Sequence, residues 1–198
     1  MATIIQKISE QIQAKQIDTT TAFGRSWLIQ YMNRLSPTFR DRAEIIRDRE
    51  QQRSRIMIGR FYFFFYNPKT KENLPYWDRF PMVIPLKGYS DGFLGLNLHY
   101  IYPKDRLILL QQLSRTMTGP VEDERSRLRL SYPILQAMHM AYRATPCIKR
   151  YLKPHIMSRF VEVPPTEWNI AAVLPVQVFT GKVSVHKQDV WQDSKEKY

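Results

Sequence analysis

Apolar residues near the start of the chain recur with a helical period. Ile5, Ile8 and Ile12 are separated by Gln, Lys and Glu, which predicts a short amphipathic helix ending near "QIDTTT". Thr19 to Thr21 are suitable caps for a second helix. In "TAFGRSWLIQYMNRL", Phe23, Trp27, Tyr31 and Leu35 recur at intervals of four and set large rings along one face, a stripe read as packing rather than binding. Ser36-Pro37 then restarts the chain, with Pro37 suited to a first helical position and Phe39, Ala43 and Ile46 forming the apolar face of a third helix.

From Ile56 the period changes. "IMIGRFYFFFY" is apolar on both faces of a pleat and rich in strand-favouring residues, the pattern of a strand covered on both sides. A strand sends alternate side chains to opposite faces, so Phe61, Phe63 and Phe65 are predicted to oppose Tyr62, Phe64 and Tyr66. The turn "NPKTKENLP" follows, then the strands "FPMVIP" and "FLGLNLHYI" around "GYSDG". In the last of these, Phe93, Gly95, Asn97 and His99 oppose Leu94, Leu96, Leu98 and Tyr100. Pro81 and Pro85 cannot donate to a ladder, which predicts a short middle strand at an edge or bend. The result is a meander or a small SH3-like antiparallel β-barrel.

Beyond the meander, a helix is predicted from Pro103, with Leu107, Leu110 and Leu113 inward and Gly119-Pro120 as its stop. Another is predicted in "PILQAMHMAYRA". "RFVEVPPTEWNIAAVLPVQVF" reads as a strand, a Pro-Pro break and a short helix packing Trp168, Ala172 and Val173 inward. The expected class is α+β. Residues 1–55 form an N-terminal helical region acting as an interaction arm, 56–183 an α+β core with its meander at 56–101, and 184–198 a polar tail. Ile5, Ile8, Ile12 and Trp191 are candidate subunit-interface residues, Trp191 anchoring the tail either to this chain or to a neighbour.

Composition narrows the function. A content of 43% hydrophobic and 13% aromatic residues is that of a folding chain. The net charge of +12 and pI near 9.9 favour partners dense in negative charge, nucleic acid first and acidic proteins or anionic membranes after it. No apolar signal-peptide region or membrane-length run is found, so no membrane association is expected. The single cysteine, Cys147, excludes an internal disulfide and a cysteine-rich zinc site. His99, His139, His155 and His186 lack metal-ligand spacing, and no phosphate-cradling glycine loop occurs. Asp78, Asp91, Asp105 and Glu124 are the acids a magnesium nuclease would need, but as turn-borne acids they read as turn formers and salt-bridge partners. No enzyme, metal or cofactor is expected.

Two basic segments carry the binding candidates. Between residues 34 and 60 stand eight arginines against Asp41, Glu44, Asp48 and Glu50. The segment is either a solvated helix knitted by pairs such as Glu44 with Arg47, or one whose Arg40, Arg42, Arg49 and Arg55 reach phosphate or a neighbouring subunit's carboxylates. Residues 143–161 contain Arg143, Lys149, Arg150, Lys153 and Arg159 and no acid. There the interleaved Tyr142, Tyr151 and Phe160 either stack on bases or fill the core while the charges extend outward.

The stretch "YNPKTKENLPYWDRFPMVIPLKGYSDGFLGLNLHYIYPKDRLILLQQL", with "IGRFYFFFY" before it and "SRFVEVPPTEWNIAAVLP" after it, resembles a family of small virion proteins from contractile-tailed bacteriophages. The family is named DNA end protector, and the likeness covers about residues 56 to 192. The resemblance implies a non-enzymatic structural protein of the virion, made in the host cytoplasm, that completes the filled head and shields the genome's ends from host nuclease. Its implied partners are other virion proteins in a multi-subunit assembly and double-stranded DNA ends, bound without sequence specificity. The alternative is a neck, tail or baseplate subunit that binds only protein neighbours.

Overall fold

A computed structural model describes residues 2–117 and 147–196 of the chain. Three threonine caps start the three N-terminal helices. Thr3 opens α1 (Ile4–Ala14): its hydroxyl accepts from the Gln6 amide at 3.3 Å, while the Gln6 side chain accepts from the Thr3 amide at 2.8 Å. Thr21 accepts from the Gly24 amide at 3.0 Å to open α2 (Ala22–Asn33), and Thr38 pairs reciprocally with Asp41 to open α3 (Phe39–Ile46).

In α2 the stripe turned inward is the one beside that expected. Gly24, Leu28 and Met32 are buried, Trp27 and Tyr31 stack at 5.2 Å on its flank, and Phe23 is exposed. Gly24 causes the shift: a Cβ there would lie 1.8 Å from the carbonyl oxygen of Asp18, so only glycine lets the α1–α2 link lie against the helix. Phe39, expected on the inner face of α3, is also exposed, and Ile45 is buried instead.

The strands are β1 (Gln52–Arg53), β2 (Tyr62–Phe63), β3 (Tyr76–Asp78), β4 (Met82–Tyr89), β5 (Gly92–Asn97), β6 (Ile148–Leu152), β7 (Phe160–Glu162) and β8 (Phe179–Gly181). Six of them form an antiparallel sheet in the order β1-β7-β2-β4-β5-β6, and β3 pairs with β8 separately. The predicted meander is present as β2-β4-β5. Its middle strand corrects expectation: β4 is eight residues long and central. Pro85 is tolerated because the register shifts between Pro85 and Lys87, a bulge that needs no donor there, and its carbonyl accepts from Gly59 at 3.0 Å. β5 ends sooner than predicted because the Asn97 side chain accepts from the His99 amide at 3.0 Å, turning Leu98–Tyr100 into a single buried 3-10 turn.

The aromatic run divides between two cores, as strand alternation requires. Phe61 and Phe63 enter the main core, where Phe63 stacks on Phe80 at 5.3 Å and Phe61 meets Trp168 edge-on. Tyr62, Phe64 and Tyr66 join Val83, Phe93 and Tyr151 in a second, largely aromatic cluster. That cluster measures the sheet's curvature. Phe93 on β5 and Phe160 on β7 are separated by β2 and β4, about 14 Å across a flat sheet, yet their rings lie 6.1 Å apart. The sheet therefore curls around the second cluster. Beyond β6 a 3-10 turn, Lys153–His155, brings Ile156 back beside Tyr66. No ladder joins β1 to β6 among the described residues, so the sheet is curled and open rather than the closed barrel that was one expectation.

The helices α4 (Pro103–Met117), α5 (Trp168–Val173) and α6 (Lys187–Glu196) complete the described fold, which is α+β. Leu107 and Leu110 of α4 are buried as predicted, and α4 packs on α5. The helix expected in "PILQAMHMAYRA" lies outside the described residues.

Within residues 1–55, Ile5 and Ile8 are buried in the same core as the sheet, Ile12 packs against it, and α1 and α2 both contact α5. The C-terminal segment packs on the rest of the chain through Val190 and Trp191. Trp191 on α6 is buried, and its indole N–H donates to the carbonyl of His99 at 2.8 Å. Ile5, Ile8 and Trp191 are thus buried within the chain's own fold, and Ile12 is partly covered. No helix among the described residues is long and apolar enough to cross a membrane.

Candidate nucleic-acid interface

The loop after the aromatic run, together with β3, stands over β5 and β6 and encloses a cleft of about 330 Å³. Its walls are aromatic, with Tyr76, Trp77 and Tyr100 among them, and the Tyr76 and Tyr100 rings lie 6.0 Å apart. Three cations line it: exposed Lys69 on the loop, Lys149, whose ammonium lies 4.4 Å from the Tyr100 ring centroid, and Arg150.

Asp78 is the only carboxylate among the described residues of the lining, and it is fully engaged from behind. One of its oxygens accepts from the amides of Phe80 and Val178, and the other from Asn97 and from Nδ1 of His99 at 2.6 Å. Burial alone would raise its pKa, but the electrostatic pull and hydrogen bond of His99 and the donated amides outweigh burial and hold it below the usual carboxylate value. Burial pulls His99 down, so the ring is neutral at physiological pH and donates Nδ1–H to an ionised Asp78. Its Nε2 finds no partner among the described residues.

Arg106, also fully buried, donates to the carbonyls of Ile101 at 2.7 Å, His99 at 3.0 Å and Ala172 at 3.1 Å. Burial lowers its pKa to about 9, which leaves it charged at neutral pH. Asp78, Asn97, His99, Arg106 and Trp191 thus form a buried polar network that fixes the 3-10 turn carrying Tyr100, and with it one wall of the cleft.

Outside the cleft, the β4–β5 hairpin and the end of β6 form a basic rim. The Arg150 guanidinium lies 3.7 Å from the Tyr89 ring centroid and pairs with Asp91, and Lys153 donates to the Ser90 carbonyl at 2.9 Å. Lys87 approaches the other side of this cluster, 5.3 Å from the Tyr89 ring. Stacking on Tyr89 orients Arg150 and Lys87, at a gain of about 0.5–1 kcal/mol for an exposed site.

Of the predicted basic residues, Lys149, Arg150 and Lys153 are therefore brought together, and Lys69, Lys87 and Tyr89 join them unforeseen. The acid-free run signalled the first three. Lys69 is supplied by the loop after the aromatic run, and Lys87 and Tyr89 by the end of β4.

The remaining predicted residues lie elsewhere. Arg40 is exposed and pairs with Glu44 at 3.1 Å. Arg42 is half-buried and donates to the Val176 carbonyl at 2.7 Å, a tether between α3 and the chain after α5 rather than a surface contact. Arg49 is exposed on a groove it shares with Arg47, Glu44, Asp48 and Glu50, where acids balance bases. Arg55 and Arg159 are exposed, and Arg143 lies outside the described residues.

A second, more open groove of about 530 Å³ runs past Phe39, Phe65, Trp77 and Met157, with Lys71 and Arg79 and no acid among the described residues of its lining. Among the described residues, the catalytic candidates do not converge on one site. Burial pushes the Cys147 thiol up to about 12, Asp91 is paired with Arg150, and Glu124 lies outside the described residues. Among the described residues no three His, Cys, Asp or Glu side chains converge as metal ligands would.

A family model described as the phage T4 terminal DNA protecting protein matches residues 6–194. No curated protein and no solved structure matches the chain.

Proposed function

Because the chain belongs to the phage T4 terminal DNA protecting protein family, we propose that it is a non-enzymatic virion component that occupies the ends of the packaged linear genome and blocks nuclease access there. The observation that carries this reading is the basic rim of Lys69, Lys149, Arg150 and Lys153 around an aromatic cleft, on a chain of net charge +12. These side chains neutralise phosphates and read no base edges, so binding is independent of sequence and steeply dependent on salt. Four phosphate contacts give a slope of about −3.6 in log K against log salt concentration.

Titrating the protein against linear and covalently closed circular duplex across salt concentrations tests the reading. A steep slope with preference for the linear form supports it; no binding to either form at low salt removes it. A second reading, a neck, tail or baseplate subunit that meets only protein, is favoured by Phe39 and Met157, which are 73% and 65% exposed on the rim of the larger groove. A density map of the virion that sets this face against protein and the basic rim away from DNA would select it. The curl of the sheet, and the single 3-10 turn between β6 and the segment leading into β7, support describing the meander as a half-open barrel of SH3-like type.

A further inference from the structure

We propose that the cleft beneath the 67–75 loop takes the unpaired terminal nucleotide of a DNA end, an inference that rests on the DNA-contact reading above. At about 330 Å³ the cleft lies at the lower limit of small-ligand sites, about 300–1,000 Å³, so it admits one nucleotide and excludes a duplex. Its surfaces suit that ligand. Tyr76 and Trp77, both half-buried in the lining, offer π-faces that accept any base, and the buried Tyr100 ring backs them. Lys69 and Lys149 meet the charge of a terminal phosphate, and Arg150 stands at the rim on Tyr89. The single acid, Asp78, has both oxygens committed to donors behind the wall and presents no unneutralised carboxylate that would repel the phosphate.

Selectivity for ends then follows without base readout. An internal nucleotide must break its pair and leave neighbours on both sides before it can enter, whereas a terminal one is stacked on one side only and is the most easily unpaired. The rim residues Lys153 and Lys87 lie outside the cleft, where they are available to the phosphates of the adjoining duplex. Engaged in this way, the last nucleotide is removed from the reach of an exonuclease.

The test uses the full chain and two duplexes of equal length. One has an open blunt end carrying 5-iodouracil at the last position; the other is a dumbbell closed by hairpins, with 5-iodouracil inside the duplex. The expected result is about tenfold tighter binding of the open-ended DNA, with photocrosslinks from the terminal label mapping to Tyr76, Trp77 or Tyr100 and none there from the internal label. Lys69→Glu, an exposed change, and Tyr76→Leu, a half-buried one, both abolish the preference for the open end while dumbbell binding persists. Equal binding of the two DNAs, or terminal crosslinks mapping elsewhere, overturns the cleft assignment and leaves the DNA-contact reading standing. Absence of binding to both DNAs overturns the two together.

Discussion

Replacing Arg106 by methionine isolates what the buried network does. Methionine approximates the length of the side chain and fills its volume but donates nothing. The carbonyls of Ile101, His99 and Ala172 lose their guanidinium donor, and only that of His99 retains another, the Trp191 indole. Two buried carbonyls are thus left unsatisfied, at about 1–3 kcal/mol each, for a gross loss of about 2–6 kcal/mol. Removing a fully buried cation recovers part of this, because burial already disfavours the charge enough to lower its pKa to about 9. The net expectation is a loss of about 2–4 kcal/mol, equivalent to a fall in Tm of about 4–16 °C for a chain of this size. Urea unfolding at constant pH, read by tryptophan fluorescence and far-UV circular dichroism, measures the change. An Arg106→Met variant as stable as the parent would show that the network is dispensable, and with it the account of how the wall bearing Tyr100 is held.

Three further outcomes are expected. Stability falls as pH drops below about 6.5, because the unfolded chain takes up a proton at His99 that the buried ring refuses, and falls again below about 3.8 as Asp78 is protonated; a Tm that is flat from pH 6.5 to 4.5, or a slope unchanged in His99→Gln, contradicts this. Gly92→Ala separates β5 from β6, because its Cβ would stand 2.0 Å from the Tyr151 carbonyl oxygen; thermal melting should show a loss of at least about 1–3 kcal/mol, and an unchanged melt refutes the close approach. Arg150→Gln reduces the salt slope of DNA binding by about 0.9 with little effect on stability, because the residue is a rim contact; an unaltered slope removes it from the interface.

What could be read in the sequence was what short-range geometry dictates. The alternation of six rings fixed which of them share a core, and the change of period at Ile56 marked the meander. The class of α4 followed from Leu107 and Leu110. What escaped depends on long-range packing. Two neighbouring apolar stripes run along α2, and only the contact of Gly24 with Asp18 decides between them. Pro85 argued for an edge strand, yet a bulge admits it at the centre of the sheet. At the candidate site, the acid-free segment marked Lys149, Arg150 and Lys153, whereas Lys87 and Tyr89 join them through the pairing of β4, β5 and β6, and Lys69 through the loop that covers β5 and β6. Arg42 shows the reverse, a cation that reads as exposed in a polar segment but reaches across to Val176.

The interleaving of the two ends of the chain has a kinetic consequence. Gln52 pairs with Val161 and Phe63 with Val161 from the other side, while α1 and α2 rest on α5. Contacts that close the main core therefore join residues about a hundred positions or more apart, and such high contact order slows folding, since the entropy of closing long loops must be met before the contacts form. On the ribosome, the rings of Phe61 and Phe63 stay without their cover until Val161 and Trp168 have emerged. The protein is thus expected to fold only after synthesis is nearly complete, and fragments ending before α5 should aggregate rather than accumulate as a stable N-terminal domain.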